Sequence, residues 1–207
     1  MTTLLQIKAS ISDQGLSSRL ANDFVAAYRA SHPKAQVVVR EVATAEPVPH
    51  LTSERFGAFI AKPEDRTDAQ HAVVAYSDAL IDELKRADIV VLGLPMYNFG
   101  VPSQLKAYFD HIARAGQTFK YGATGPVGLL TGKKVYVFAT RGGLYAGTPL
   151  DTQTGYVRDF LAFLGMKDVQ FVYAEGLAVS PESRQAGLAK AAAEIAKAAA
   201  EIASLAA

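Results

Sequence analysis

Three stretches of this chain carry residue types suited to holding a ligand, and each follows an apolar run. The first is Ala9-Ser10-Ile11-Ser12-Asp13-Gln14-Gly15-Leu16-Ser17-Ser18-Arg19. Its hydroxyls and glycine lead into a helical pattern. A helix start offers free N–H groups and partial positive charge, which suits a phosphate dianion. Ser17 or Ser18 would serve equally as an ordinary helix cap. The second stretch is Leu94-Pro95-Met96-Tyr97-Asn98-Phe99-Gly100-Val101-Pro102. Two aromatics, an amide and a thioether in one loop can give a flat ring apolar contact and bond its polar edge. The alternative is that Tyr97 and Phe99 pack beneath the loop. The third is Thr140-Arg141-Gly142-Gly143. Paired glycines let backbone N–H groups approach a ligand closely, and they also suit a plain strand-end turn.

Other chemistries find less support. Gly128-Leu129-Leu130-Thr131-Gly132-Lys133-Lys134 has one residue too few between its glycines for a nucleotide P-loop, and no Ser or Thr follows the lysine. The Gly-x-Gly-x-x-Gly fingerprint of a resident dinucleotide is absent as well. His32, His50, His71 and His111 lack metal-ligand spacing, so no metal is expected, and His111 is expected to pack rather than catalyse. There is no cysteine, which excludes disulfides, thiol nucleophiles and iron–sulfur clusters. No side chain stands out as a catalytic acid, base or nucleophile.

The elements that must position these loops alternate along the chain. Strand candidates are Leu4–Ala9, Gln36–Val42, Ile89–Leu94, Val135–Thr140 and Val169–Ala174, each a nearly continuous apolar run, as strands covered on both faces require. Helical patterns lie between them at Ser18–Ser31, Ala69–Ala87, Ser103–Ala115 and Gly155–Leu164. In the third, Leu105, Phe109 and Ile112 share one face. This alternation predicts an α/β fold, a three-layer doubly wound parallel sheet of five strands in the flavodoxin-like order 2-1-3-4-5. In such sheets ligands bind outside the carboxyl ends of the strands, where the three loops should lie. Ala45–Asp68 reads as an insertion wrapping the surface, Gln117–Leu130 as a hairpin-like excursion, and Ala186–Ala207 as a solvated helix with Glu194 and Glu201 in register with lysines.

The 207 residues suit a single domain spanning 1–207. A net charge of +1 names no partner and shows no basic stripe for nucleic acid. No apolar stretch reaches membrane-spanning length. The N-terminus reads as a strand rather than a signal peptide, and a cytoplasmic setting is expected.

Along almost its whole length the chain resembles the FMN-dependent NADH:quinone oxidoreductases, also called azoreductases. The most specific segment is Pro95-Met96-Tyr97-Asn98-Phe99. Gln104-Leu105-Lys106, Ala113-Arg114-Ala115-Gly116, Thr131-Gly132-Lys133-Lys134, Arg141-Gly142-Gly143 and Ala174-Glu175-Gly176 support it. The resemblance implies that FMN is bound, with Ser10, Leu16, Ser17 and Ser18 holding its phosphate and ribityl chain. Met96, Tyr97, Asn98 and Phe99 would line the isoalloxazine, and Thr140, Arg141, Gly142 and Gly143 would close its far side. Tyr121 and Phe163 match positions of an aromatic substrate pocket. The activity implied is a two-electron, ping-pong transfer from NADH or NADPH to a quinone or azo compound, in a homodimer with its sites near the interface. The chain departs from the family at two places. The loop after the first strand is a residue shorter than in some relatives, and Ile60 stands where some carry arginine, with Lys62 close by. A flavodoxin-type one-electron carrier is the main alternative, against which the near-neutral charge argues, since such carriers dock through an acidic face. A regulatory protein that senses nicotinamide or flavin is a third reading.

Overall fold

A computed structural model describes residues 1–44 and 46–205, with side chains through Glu201. Ala45, at the head of the expected insertion, and Ala206 and Ala207, at the end of the expected terminal helix, lie outside the described residues.

The apolar runs become strands β1 (Thr3–Lys8), β2 (Gln36–Glu41), β3 (Ile89–Pro95), β6 (Lys134–Thr140) and β7 (Asp168–Ala174), after a short hairpin β4 (Phe119–Gly122) and β5 (Gly125–Gly128). The sheet order is β2-β1-β3-β6-β7, all pairs parallel. With the hairpin set aside, this is the expected 2-1-3-4-5. Alternate side chains of β1, β3 and β6 face two separate cores. Leu5, Ile7, Leu92 and Val137 pack under helices α3 (Asp68–Arg86), α4 (Ser103–Ile112) and α5 (Thr152–Leu164). Leu4, Val91, Tyr136 and Phe138 pack under α1 (Leu16–Ser31) and α6 (Pro181–Leu205). The outer strands β2 and β7 are less covered, and Val39 stays 47% exposed.

The structure revises three expectations. The insertion is not simply a surface wrap, because it holds α2 (Ser53–Ile60), capped by the Thr52 hydroxyl and packed on α3, then a single 3-10 turn at Pro63–Asp65. The terminal helix is not wholly solvated. Ala191, Ile195 and Ala198, spaced by four and three residues, lie buried against the sheet core, while Lys190–Glu194 and Lys197–Glu201 pair on its outer face. Finally, α5 begins at Thr152 rather than Gly155, because the Asp151 carboxylate caps the Thr154 N–H at 3.0 Å. Gln117–Leu130 does contain a hairpin, as expected. No helix of the described residues is long and apolar enough to cross a membrane, and no group of His, Asp or Glu among them could hold a metal ion.

The parallel register brings the strand ends level. Lys8 pairs with Gly93, and Pro95 with Thr140, which pairs with Ala174. The loops after β1, β3 and β6 therefore emerge together at one edge.

Candidate functional site

The loop after β1 folds into a cradle over the start of α1. The cap residue of α1 is Gly15, not Ser17 or Ser18, and no side chain caps the helix. The first intrahelical bond runs from Arg19 N–H to Gly15 O at 3.0 Å, so the N–H groups of Leu16, Ser17 and Ser18 are the orphan donors of the first turn. No acidic side chain sits in that turn to answer them. A Cβ on Gly15 would come within 2.1 Å of Ser10 Oγ, and a Cβ on Gly93 within 2.9 Å of Ser17 O. Two glycines thus let the loop fold over the helix start and let that start press on β3. Ser10 is buried and its Oγ accepts from Ser12 N–H at 3.1 Å. A cavity of about 440 Å³ opens beside the cradle, lined by Ser10, Ser12, Gln14, Gly15, Ser18 and Arg19 among others.

The loop after β3 is a two-residue turn. Tyr97 N–H donates to Gly100 O at 3.2 Å and Gly100 N–H to Tyr97 O at 3.0 Å. The central pair, Asn98 and Phe99, have φ of 49° and 63°. Both signs are those of a type I′ turn, normally made with Asn-Gly. Asn tolerates the left-handed region, but Phe does so at a cost of about 1–3 kcal/mol. The turn exposes both residues at the cleft, Phe99 half-exposed with its ring edge-on to Tyr145 at 5.5 Å. So Phe99 is not buried under its loop. Tyr97 is partly buried, and its hydroxyl lies 3.3 Å from Ser10 Oγ and 3.4 Å from Ile11 N, tying this loop to the cradle. Met96 N–H donates to Thr140 O at 3.0 Å, tying it to the third loop.

In the loop after β6 only part of the backbone faces the cleft. Arg141 N–H is taken by Ala174 O at 3.0 Å, whereas the N–H groups of Gly142 and Gly143, next along the loop, have no acceptor among the described residues. The Arg141 side chain turns inward and is fully buried. Its guanidinium bonds Asp151 at 2.8 Å, the Thr154 hydroxyl at 2.8 Å and Glu175 at 3.2 Å, and lies 4.9 Å from the Tyr173 ring centroid. Burial alone would raise the Asp151 pKa. The bonds from Arg141 and Thr154 outweigh it and hold the carboxyl below its ordinary value. Glu175 also accepts from Tyr145 and Ala146 N–H, both at 2.9 Å. Arg141 is thus the internal brace of the loop, and its backbone rather than its charge is near the cleft.

Twelve of the residues singled out from the sequence therefore fall on one edge: Ser10, Leu16, Ser17, Ser18, Met96–Phe99 and Thr140–Gly143. Tyr121 and Phe163 do not join them within the chain. The first turn of α5 lies at the cleft, and Phe163 is ten residues further along the helix, about 15 Å away at 1.5 Å per residue. It lines a cavity of about 720 Å³ with Lys134 and Asp168, the first residues of β6 and β7. Tyr121, on β4, is 78% exposed near the same end, where Phe119 packs on Phe163 at 4.4 Å. His111 packs as expected, its Nε2 3.0 Å from Pro49 O and its ring edge-on to Phe59 and Tyr76.

Sequence reasoning missed the supports from α5. Gln153 Nε2 donates to Pro95 O at 2.9 Å and Gly100 O at 3.1 Å, and the Thr152 hydroxyl donates to Phe99 O. The one available signal was Asp151 as a helix cap.

The fold and these loops define a flavodoxin-like α/β protein whose sheet edge carries an uncapped helix start beside a turn that exposes Asn98 and Phe99. The model of a family described as having a flavodoxin-like fold matches residues 2–199. An FMN-dependent NADH:quinone oxidoreductase of Cellvibrio japonicus is 56% identical over 191 residues, 92% of this chain and 96% of that protein. One from Paraburkholderia phymatum is 57% identical over 192 residues, covering 92% and 96%. Among solved structures, an FMN-dependent NADH-azoreductase of Bacillus anthracis in complex with FMN has a TM-score of 0.87 at 28% identity, covering 98% of this chain and 100% of that one. This chain belongs to the FMN-dependent NADH:quinone oxidoreductase family.

Proposed function

We propose that this chain binds FMN at the three-loop edge and catalyses two-electron reduction of quinones and azo compounds by NADH or NADPH. The observation that carries the site is the uncapped start of α1, set level with the Met96–Phe99 turn and the Gly142–Gly143 backbone. The residues fit the cofactor. Leu16, Ser17 and Ser18 N–H groups and the Ser10 hydroxyl suit a phosphate, in a cradle that a Cβ on Gly15 would fill. Nothing there extends this into a dinucleotide fingerprint.

FMN supplies the redox chemistry when bound, accepting hydride from the nicotinamide and returning two electrons to the acceptor. The chain supplies orientation and electrostatics. Met96, Tyr97 and Phe99 would line the ring, and the Asn98 amide would bond its polar edge. Gly142 and Gly143 N–H groups, next to Thr140, would favour negative charge on the opposite edge. No side-chain acid or base is required, because solvent can protonate the product. The loops would hem the ring on two sides and leave one face open. Hydride transfer needs donor and acceptor atoms within about 3–3.5 Å, so nicotinamide and acceptor must take turns there.

A homodimer in the cytoplasm is part of this reading. Tyr121 and Phe163 can serve a substrate pocket only if a second copy brings them to the open face. The exposed apolar side chains of Phe56, Ile60, Tyr121 and Val127 support such a contact. The test uses purified protein loaded with FMN, with NADH and NADPH varied against a quinone and an azo dye. Parallel double-reciprocal lines are expected. Intersecting lines would refute the shared pocket, and a monomer with full activity at micromolar concentration would refute the dimeric site. Recovery of FAD in place of FMN would refute the cofactor.

A further inference from the structure

The Met96–Phe99 turn has a shape its own residues do not favour, Phe99 above all at φ 63°. The two bonds between Tyr97 and Gly100 close the turn, while the Tyr97 hydroxyl and Met96 N–H tie its start to the neighbouring loops. The carbonyls of Phe99 and Gly100, at its far side, are held by two consecutive residues of α5. The amide of Gln153, itself only 1% exposed, donates to Pro95 O before the turn and to Gly100 O after it. The Thr152 hydroxyl donates to Phe99 O inside it. The Gln153 Oε1 atom is buried without a partner among the described residues. An amide flip would not help, since it would set that oxygen against two carbonyl oxygens. Both donors of this buried amide are thus spent on the two carbonyls that flank the turn.

We propose that Gln153, seconded by Thr152, is a positioning residue that holds the Met96–Phe99 turn, and with it the Asn98 amide, in register with the flavin ring. It rests on the reading above that this turn lines the flavin. Gln153 sets the rate at which bound flavin is reduced, more than affinity for the nicotinamide.

The test compares Gln153→Met, Gln153→Glu and Thr152→Val with the wild-type holoprotein. In Gln153→Met, bleaching of the flavin by NADH in a single anaerobic turnover should slow about ten- to hundred-fold, as a misplacement near 1 Å does. The NADH concentration for half-maximal rate should change less than about threefold, and the visible band of bound FMN should shift. In the apoprotein, amide exchange at Tyr97 and Gly100, whose N–H groups close the turn, should accelerate. Gln153→Glu should show the same defect at high pH and partial recovery at low pH, where the protonated carboxyl can donate to one carbonyl; the wild type should lack this profile. Thr152→Val should show the Gln153→Met defect in weaker form. A Gln153→Met variant with wild-type bleaching, spectrum and exchange overturns the inference. If that variant does not fold, a flat pH profile in Gln153→Glu overturns it instead. A wild type that neither retains FMN nor bleaches with NADH refutes the proposed function, whereas normal wild-type behaviour matched by the variants refutes this inference alone.

Discussion

Replacing Arg141 by methionine removes the brace beneath the Gly142–Gly143 backbone and leaves two carboxylates without their cation, still held by N–H donors. Asp151 and Glu175 are only 8% and 15% exposed at their side chains, and the guanidinium between them is fully buried. Removing one partner of a buried ion pair costs about 3–5 kcal/mol, chiefly because the other charge stays buried. For a chain of this size each kcal/mol corresponds to about 2–4 °C, so the melting temperature should drop by about 6–20 °C. The pH dependence checks the cause. In the wild type, Asp151 is held below its ordinary value, so its stabilisation is present above that value and is lost as the pH falls through the folded pKa. Without Arg141, burial dominates and should push the carboxyl upward, so acidification relieves the variant. The gap between wild type and Arg141→Met should therefore be largest near neutral pH and shrink towards about pH 4. Thermal unfolding at several pH values measures this. A loss under about 1 kcal/mol, or a gap that does not narrow in acid, would refute the brace.

Gly15→Ala places a methyl where Ser10 Oγ lies, and should weaken FMN binding about tenfold or more, read by flavin fluorescence titration, with the fold retained by circular dichroism. Burial, together with Arg55 and Arg114, keeps the His111 pKa below its ordinary value despite the Pro49 carbonyl bond and Asp110. Its neutral form is the one the fold accepts, so stability should decline as pH falls through about 6.5, and His111→Gln should flatten that decline in melting scans. Mixing Tyr121→Ala/Phe163→Ala chains, intact in their flavin loops, with Asn98→Ala chains should restore activity in up to about half of the sites of mixed dimers, if each site borrows its pocket from the partner. No recovery on mixing would place the pocket elsewhere.

The alternation of apolar runs and helical patterns was enough to order the sheet, because a strand covered on both faces must be apolar at consecutive positions wherever it sits. That order puts the loops after the first, third and fourth main strands at one edge, so Ser10, Asn98 and Gly142 could be singled out from their neighbours alone. The start of α1 was missed by two residues, since Ser17 and Ser18 make good caps locally, while the close approach to Ser10 and β3 selects Gly15. The direction of the Arg141 side chain, the grip of Gln153 on a turn 53 residues away, and the distance of Phe163 from the cleft were not legible. Local pattern says which face of an element is apolar, but not which distant carbonyl a buried donor must satisfy. That is decided only when the first turn of α5 docks on the end of β3 and every buried polar group has to find its partner.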